Sequence, residues 1–153
     1  MDEGPYLLII SARFYPDVAD ELQRGAFAAI EAAGGTHMDV EVPGTLEIPA
    51  ALRMAVRSME LVGGRRRFDA YVALGCVIRG ETDHYDHVCR EAIHGISDLT
   101  TQYSLAVGMG ILTCETMEQA IVRAAADGTN RGGNAAEAAL AMMEVKRGFL
   151  PAR

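Results

Sequence analysis

With 153 residues, half of them hydrophobic and 23% charged, the chain can bury one ordinary core and is too apolar to be disordered. Its net charge of −7 disfavours nonspecific binding to nucleic acid or to an anionic membrane surface, so neither is expected as a partner. No apolar run is long enough for a membrane span, the first five residues lack a signal-peptide pattern, and Cys76, Cys89 and Cys114 form no C-x-x-C, which predicts a cytoplasmic protein with reduced thiols.

The predicted elements alternate. Residues 6–10 (YLLII) are a continuous apolar run, the mark of a strand covered on both faces. After Pro16, the apolar positions Val18, Leu22, Ala26 and Ile30 recur at helical spacing until Gly34-Gly35 stops the helix. Met38, Val40 and Val42 alternate with polar residues, a second strand ending at Pro43-Gly44. Residues 47–61 read as helix, with Pro49 tolerated in the first turn. Gly63-Gly64 and the surface arginines 65–67 form a loop before a third strand at 70–78.

Residues 83–100 give a helix with Val88, Ala92, Ile96 and Leu99 inward, and 105–112 a fourth strand. Thr113-Cys114-Glu115 is read as opening a helix that runs to about 126. A kink at 127–133 then leads into a last helix ending near Gly148. Repeated βα units predict one three-layer α/β domain: a four-stranded parallel sheet of flavodoxin-like order 2-1-3-4, with helices on both faces. Ligands of such sheets collect at the carboxyl ends of the strands.

Each of those ends admits two readings. Phe14, after the first strand, either stacks on a flat heterocycle or closes the top of the core. The loop 42–49 (VPGTLEIP) is stiffened by two prolines and a glycine; its amides can read a ring edge, while Glu47 can merely favour the following helix N-terminus. At the third tip, Gly80-Glu81-Thr82 offers backbone N–H groups and a hydroxyl to an anion, with His84 beside it to move protons near neutral pH. The bland alternative is a capping Thr82 and an incidental histidine. Three-residue spacing of His84 and His87 without a further ligand cluster disfavours a metal. Arg123 and Arg131 are either phosphate forks or solvated surface residues. The chain has no P-loop and no Gly-x-Gly-x-x-Gly after the first strand.

Five segments carry a resemblance over most of the chain: SARFY at 11–15, VPGTLEIP at 42–49, LGCVIRGETDHYDHVC at 74–89, GILTCETMEQA at 110–120 and NRGG at 130–133. Together they are similar to the 6,7-dimethyl-8-ribityllumazine synthase family of riboflavin biosynthesis. The resemblance implies one such domain over 1–153, and a transferase condensing 5-amino-6-(D-ribitylamino)uracil with 3,4-dihydroxy-2-butanone 4-phosphate. By position it implies that Phe14 stacks on the pyrimidine, Thr45, Leu46 and Glu47 hold the ribityl chain and ring edge, and Cys76, Val77 and Ile78 line the other polar edge. Glu81 and Thr82 would receive the phosphate, and His84 would shuttle protons. Arg123 and Met109 would come from a neighbouring subunit, so a ring of five with shared sites is expected.

No metal or cofactor is implied. The chain departs from the family pattern at Leu46, where an aromatic is common, and at Asp127, where a lysine is frequent. Those departures leave an alternative, a weakly active paralogue that carries lumazine or flavin. A flavodoxin-like electron carrier is disfavoured because Arg13-Phe14-Tyr15-Pro16 is not a hydroxyl- and glycine-rich phosphate loop.

Overall fold

Strand β1 (Tyr6–Ala12) is buried along nearly its whole length, and β3 (Ala70–Ile78) likewise until its last two residues. Both are therefore interior strands. β2 (Thr36–Val42) and β4 (Val107–Cys114) are partly exposed and take the edges. All pairings are parallel in the order β2-β1-β3-β4, as the alternating pattern predicts. The computed structural model describes residues 3–61 and 67–150. Within them lie helices α1 (Pro16–Ala32), α2 (Ile48–Leu61), α3 (His84–Gln102), α4 (Met117–Ala124) and α5 (Arg131–Gly148), and a 3-10 turn at Thr45–Glu47.

The period of two along β1 and β3 divides the core. Leu7, Ile9, Val72 and Leu74 face Val18, Leu22, Ala26 and Ile30 of α1, with Ala120 of α4 and Ala136 and Ala139 of α5. Leu8, Ile10, Tyr71 and Ala73 face the other way, onto Ile48, Leu52 and Val56 of α2 and Ile96 of α3. Small residues let α5 lie close to the sheet. A Cβ at Gly108 would meet the Ala135 carbonyl at 1.7 Å, and one at Gly132 would meet that of Leu22 at 2.0 Å.

Several predicted boundaries shift. β4 begins at Val107 rather than 105, because Leu105 and Ala106 are buried as a link following a left-handed Ser104 (φ 52°). It also runs on through Thr113 and Cys114, which pair with Val77 and Ile78, so these residues do not open a helix. α4 starts instead at Met117, where the Thr116 side chain accepts the Gln119 N–H, and it stops at Ala124. The kink loop is shorter than predicted, since Asn130, itself left-handed (φ 54°), caps α5 through the Gly133 N–H. Gly63, Gly64, Arg65 and Arg66 of the predicted loop lie outside the described residues. Arg67 is exposed over the Phe68 ring. No helix among the described residues is long and apolar enough to cross a membrane.

One feature of the register positions the site. β1 last pairs with β3 at Ser11–Leu74, yet β3 continues to Ile78 alongside β4. Cys76, Val77 and Ile78 thus overhang the end of β1. This is also where the chain order reverses, β1 leading outward to β2 and β3 to β4, and a crevice opens at such a point.

Candidate active site

A cavity of about 530 Å³ fills that crevice. Its floor is Cys76, Val77 and Ile78, and its roof is Phe14, Tyr15 and the loop from Pro43 to Glu47. Its far wall is Gly80, Thr82, His84, Tyr85 and Val88. Nine of the residues singled out in the sequence meet here: Phe14, Thr45, Leu46, Glu47, Cys76, Val77, Ile78, Thr82 and His84.

Phe14 is 69% exposed and touches Tyr15 edge-on, with ring centroids 5.0 Å apart. It does not close the core; it leaves an aromatic face open to a ligand. Thr45 is buried, its hydroxyl directly over Gly75, where a Cβ would come within 2.7 Å of Oγ1. Glycine at 75 therefore lets the 3-10 turn sit down on β3. That seating leaves Leu46 and Glu47 exposed at the rim. Glu47 precedes α2 in this turn and does not lie within its first turn.

Cys76 is buried, and desolvation, with Cys114 and Cys89 nearby, pushes its thiol up to about 12. It is a neutral thiol near pH 7 and no nucleophile. Burial likewise raises the Tyr15 phenol, with Cys76 adding to the shift.

The turn after β3 carries the cavity wall into α3. Thr82 Oγ1 accepts the His84 amide at 3.4 Å, a local turn bond, while the N-cap residue Asp83 gives α3 no side-chain cap. The Asp83 carboxylate instead meets the His87 ring at 3.2 Å. Of the first-turn amides of α3, that of His84 thus donates to Thr82 and those of Asp86 and His87 donate to the Asp83 carbonyl at 3.0 and 3.4 Å. Glu81 is exposed and does not line the cavity. Among the described residues no group of three or more His, Cys, Asp or Glu is arranged to hold a metal ion.

Arg123 and Met109 lie elsewhere. With Thr113, Arg131 and Asn134 they line a second cavity, about 310 Å³, along β4, α4 and α5. Arg123 is half-buried and donates from Nη1 to the Gln119 carbonyl at 3.1 Å. Among the described residues, no lysine or arginine lines the larger cavity, and no histidine or aromatic ring lines the smaller one.

The model of the 6,7-dimethyl-8-ribityllumazine synthase family matches residues 4–147, from before β1 almost to the end of α5. The chain belongs to this family. It is 51% identical over 144 residues to the 6,7-dimethyl-8-ribityllumazine synthase of Methylorubrum extorquens (strain PA1), covering 94% of this chain and 82% of that protein. It is 49% identical to that of Agrobacterium fabrum, covering 94% and 95%. It is 48% identical to 6,7-dimethyl-8-ribityllumazine synthase 1 of Rhodopseudomonas palustris, covering 94% and 87%. The family match spans both cavities.

Sequence reasoning passed over Tyr85, Val88 and Pro43 as wall residues. Val88 sits at a helical spacing that reads as core, and it is both core and wall. Tyr85 follows His84 and so reads as the opposite side of the helix, but the cavity wraps around the α3 terminus and reaches both.

Proposed function

We propose that the chain condenses 5-amino-6-(D-ribitylamino)uracil with 3,4-dihydroxy-2-butanone 4-phosphate, giving 6,7-dimethyl-8-ribityllumazine, inorganic phosphate and two waters. The arylamine attacks the ketone and loses water to an imine. Phosphate is then expelled, and the ring closes with loss of the second water. These steps balance as two dehydrations and one elimination, with no net oxidation and no call on a redox cofactor.

The observation that carries this reading is the meeting of an exposed ring, a polar loop, a helix terminus without a side-chain cap and an imidazole in one crevice. Phe14 stacks on the pyrimidine, Thr45 to Glu47 hold the ribityl chain and ring edge, and Cys76 to Ile78 supply main-chain groups to the remaining edge. Thr82, with the amides of the Glu81 turn, receives the phosphate, and His84 moves protons between steps. Cys76 serves as wall and not as nucleophile. Much of the acceleration comes from holding two reactants together.

The dianion needs a cation, and among the described residues no lysine or arginine lines the larger cavity. We assign it to Arg123 of an adjoining copy, with Met109 beside it, so that each site is completed between neighbours. The assembly in this reading is a homopentamer, working in the cytoplasm as a single domain per chain with small molecules as its only other partners. Leu46, 47% exposed on the rim, is the feature that favours the second reading, a slow lumazine- or flavin-carrying paralogue.

Mixing the two substrates with purified protein and following the lumazine chromophore separates the two. Turnover supports the synthase; tight binding of the product without turnover supports the carrier. Light scattering on the same sample tests the ring, and a fully active monomer overturns the shared site.

A further inference from the structure

We propose that Arg79 is a positioning residue that holds the phosphate turn and His84 in place, an inference that rests on the reading of the cavity given above. Arg79 is the first residue after β3, and its amide still donates to the Cys114 carbonyl at 2.9 Å, continuing the β3–β4 ladder. Its backbone is therefore fixed. The guanidinium reaches across the turn that follows. Nε donates to both carboxylate oxygens of Glu115, at 3.1 and 3.0 Å. Nη1 and Nη2 meet the two oxygens of Asp86 at 3.3 and 3.4 Å. Its Cζ lies 4.3 Å from the centre of the Tyr85 ring.

Glu115 belongs to the β4–α4 connection; Tyr85 and Asp86 belong to the first turn of α3. One planar fork thus pins both ends of the segment 80–84, its start through the backbone and its finish through Asp86 and Tyr85. The segment between is the phosphate turn of that reading and His84.

Stability does not account for this arrangement. Arg79, Asp86 and Glu115 side chains are 38%, 48% and 59% exposed, and ion pairs that open to water contribute little to folding. Their effect is geometric and local. It is also electrostatic: Arg79 compensates the carboxylates of Asp86 and Glu115 that it bonds beside the turn. The Glu115 amide in turn donates to Gln119 Oε1 at 2.8 Å, and the Gln119 carbonyl accepts Arg123 at 3.1 Å. The network accordingly runs from the turn in one cavity to the arginine in the other.

The test compares Arg79→Met, which keeps the stem without the fork, with Arg79→Lys, which keeps the charge but reaches one carboxylate at a time. Steady-state kinetics should show kcat down about tenfold for Arg79→Met, from misplacement of the imidazole. KM for the four-carbon phosphate should rise about tenfold, and KM for the pyrimidine should stay within about twofold. Arg79→Lys should recover most of the phosphate KM and little of kcat. Values for Arg79→Met within about twofold of wild type in all three parameters would overturn the proposal, as would an equal rise in both KM values.

The 1H–15N imidazole spectrum, with the His84 signal identified by its loss in His84→Ala, gives a readout independent of turnover. A moved or broadened His84 signal in Arg79→Met supports positioning, and an unmoved one refutes it. Should wild-type protein make no lumazine, the proposed function fails while this spectrum still decides the role of Arg79. Glu115→Gln, which weakens one arm only, replaces Arg79→Met if circular dichroism shows that variant unfolded.

Discussion

In the reaction proposed above, the central crevice at β1 and β3 and the edge at β4 divide the chemistry between them. Among the described residues, the crevice at β1 and β3 has an open aromatic ring, a carboxylate, hydroxyls and an imidazole, and no lysine or arginine on its walls. Among the same residues, the edge formed by β4, α4 and α5 has two arginines and neither histidine nor aromatic ring. Each is an incomplete site. The difference teaches that a charge needed by the reaction can be kept off the wall where the proton carrier stands. In the proposed assembly it arrives when a second copy docks.

The comparison is broken most severely by removing the cation. Arg123→Ala should lower kcat/KM for the four-carbon phosphate by about a hundredfold, with a much smaller change for the pyrimidine; equal losses would make Arg123 a structural residue. His84→Ala should lower kcat by about tenfold or more, with both KM values near wild type, and an unchanged rate would remove His84 from the mechanism. These two variants together sharpen the division. If sites form between copies, mixing dissociated His84→Ala and Arg123→Ala chains should restore about a quarter of the wild-type sites, since one junction in four then joins an intact His84 to an intact Arg123. No recovery after verified subunit exchange would place both residues in one chain's site.

Phe14→Ala should weaken the pyrimidine by about tenfold through lost stacking, read as KM for that substrate alone. The smallest effect concerns the floor. Burial holds the Cys76 thiol up to about 12 from an ordinary value of 9.0, so the folded chain keeps a proton that the unfolded chain gives up. The stability this represents is complete below about pH 9 and declines as pH rises toward 12. Cys114, Cys89 and Tyr15 shift in the same direction. Urea midpoints measured upward from pH 8 should therefore fall, and Cys76→Ala should flatten that fall; an identical slope would mean Cys76 does not couple to folding.

Much of this was legible before any coordinates. The continuous apolar run at 6–10 reads as a strand covered on both faces, and β1 is interior. The helical spacing of Val18, Leu22, Ala26 and Ile30 reads directly as the buried face of α1. The start of β4 was not legible, because Leu105 and Ala106 are as apolar as the strand they lead into, and the turn at Ser104 separates them only from α3. The opening of α4 was misread because Thr113 and Cys114 resemble a cap, while their partners in β3 extend the ladder. At the site, Glu81 belongs to a motif yet is exposed beside the cavity that Gly80 and Thr82 line. The role of Arg79 was invisible for a different reason. Its partners lie 7 and 36 residues away, and no local periodicity links them.

The overhang of β3 beyond β1 bears on how such a protein can change over time. The floor of the crevice is the tail of an interior strand, whereas its rim is a loop with exposed side chains seated by Thr45 on Gly75. Drift at positions such as Leu46 can thus alter which ring is accepted while leaving the core that keeps the molecule folded untouched. Descendants of this scaffold are free to explore new ligands at little risk of collapse, provided the glycine under the hinge of that loop is retained.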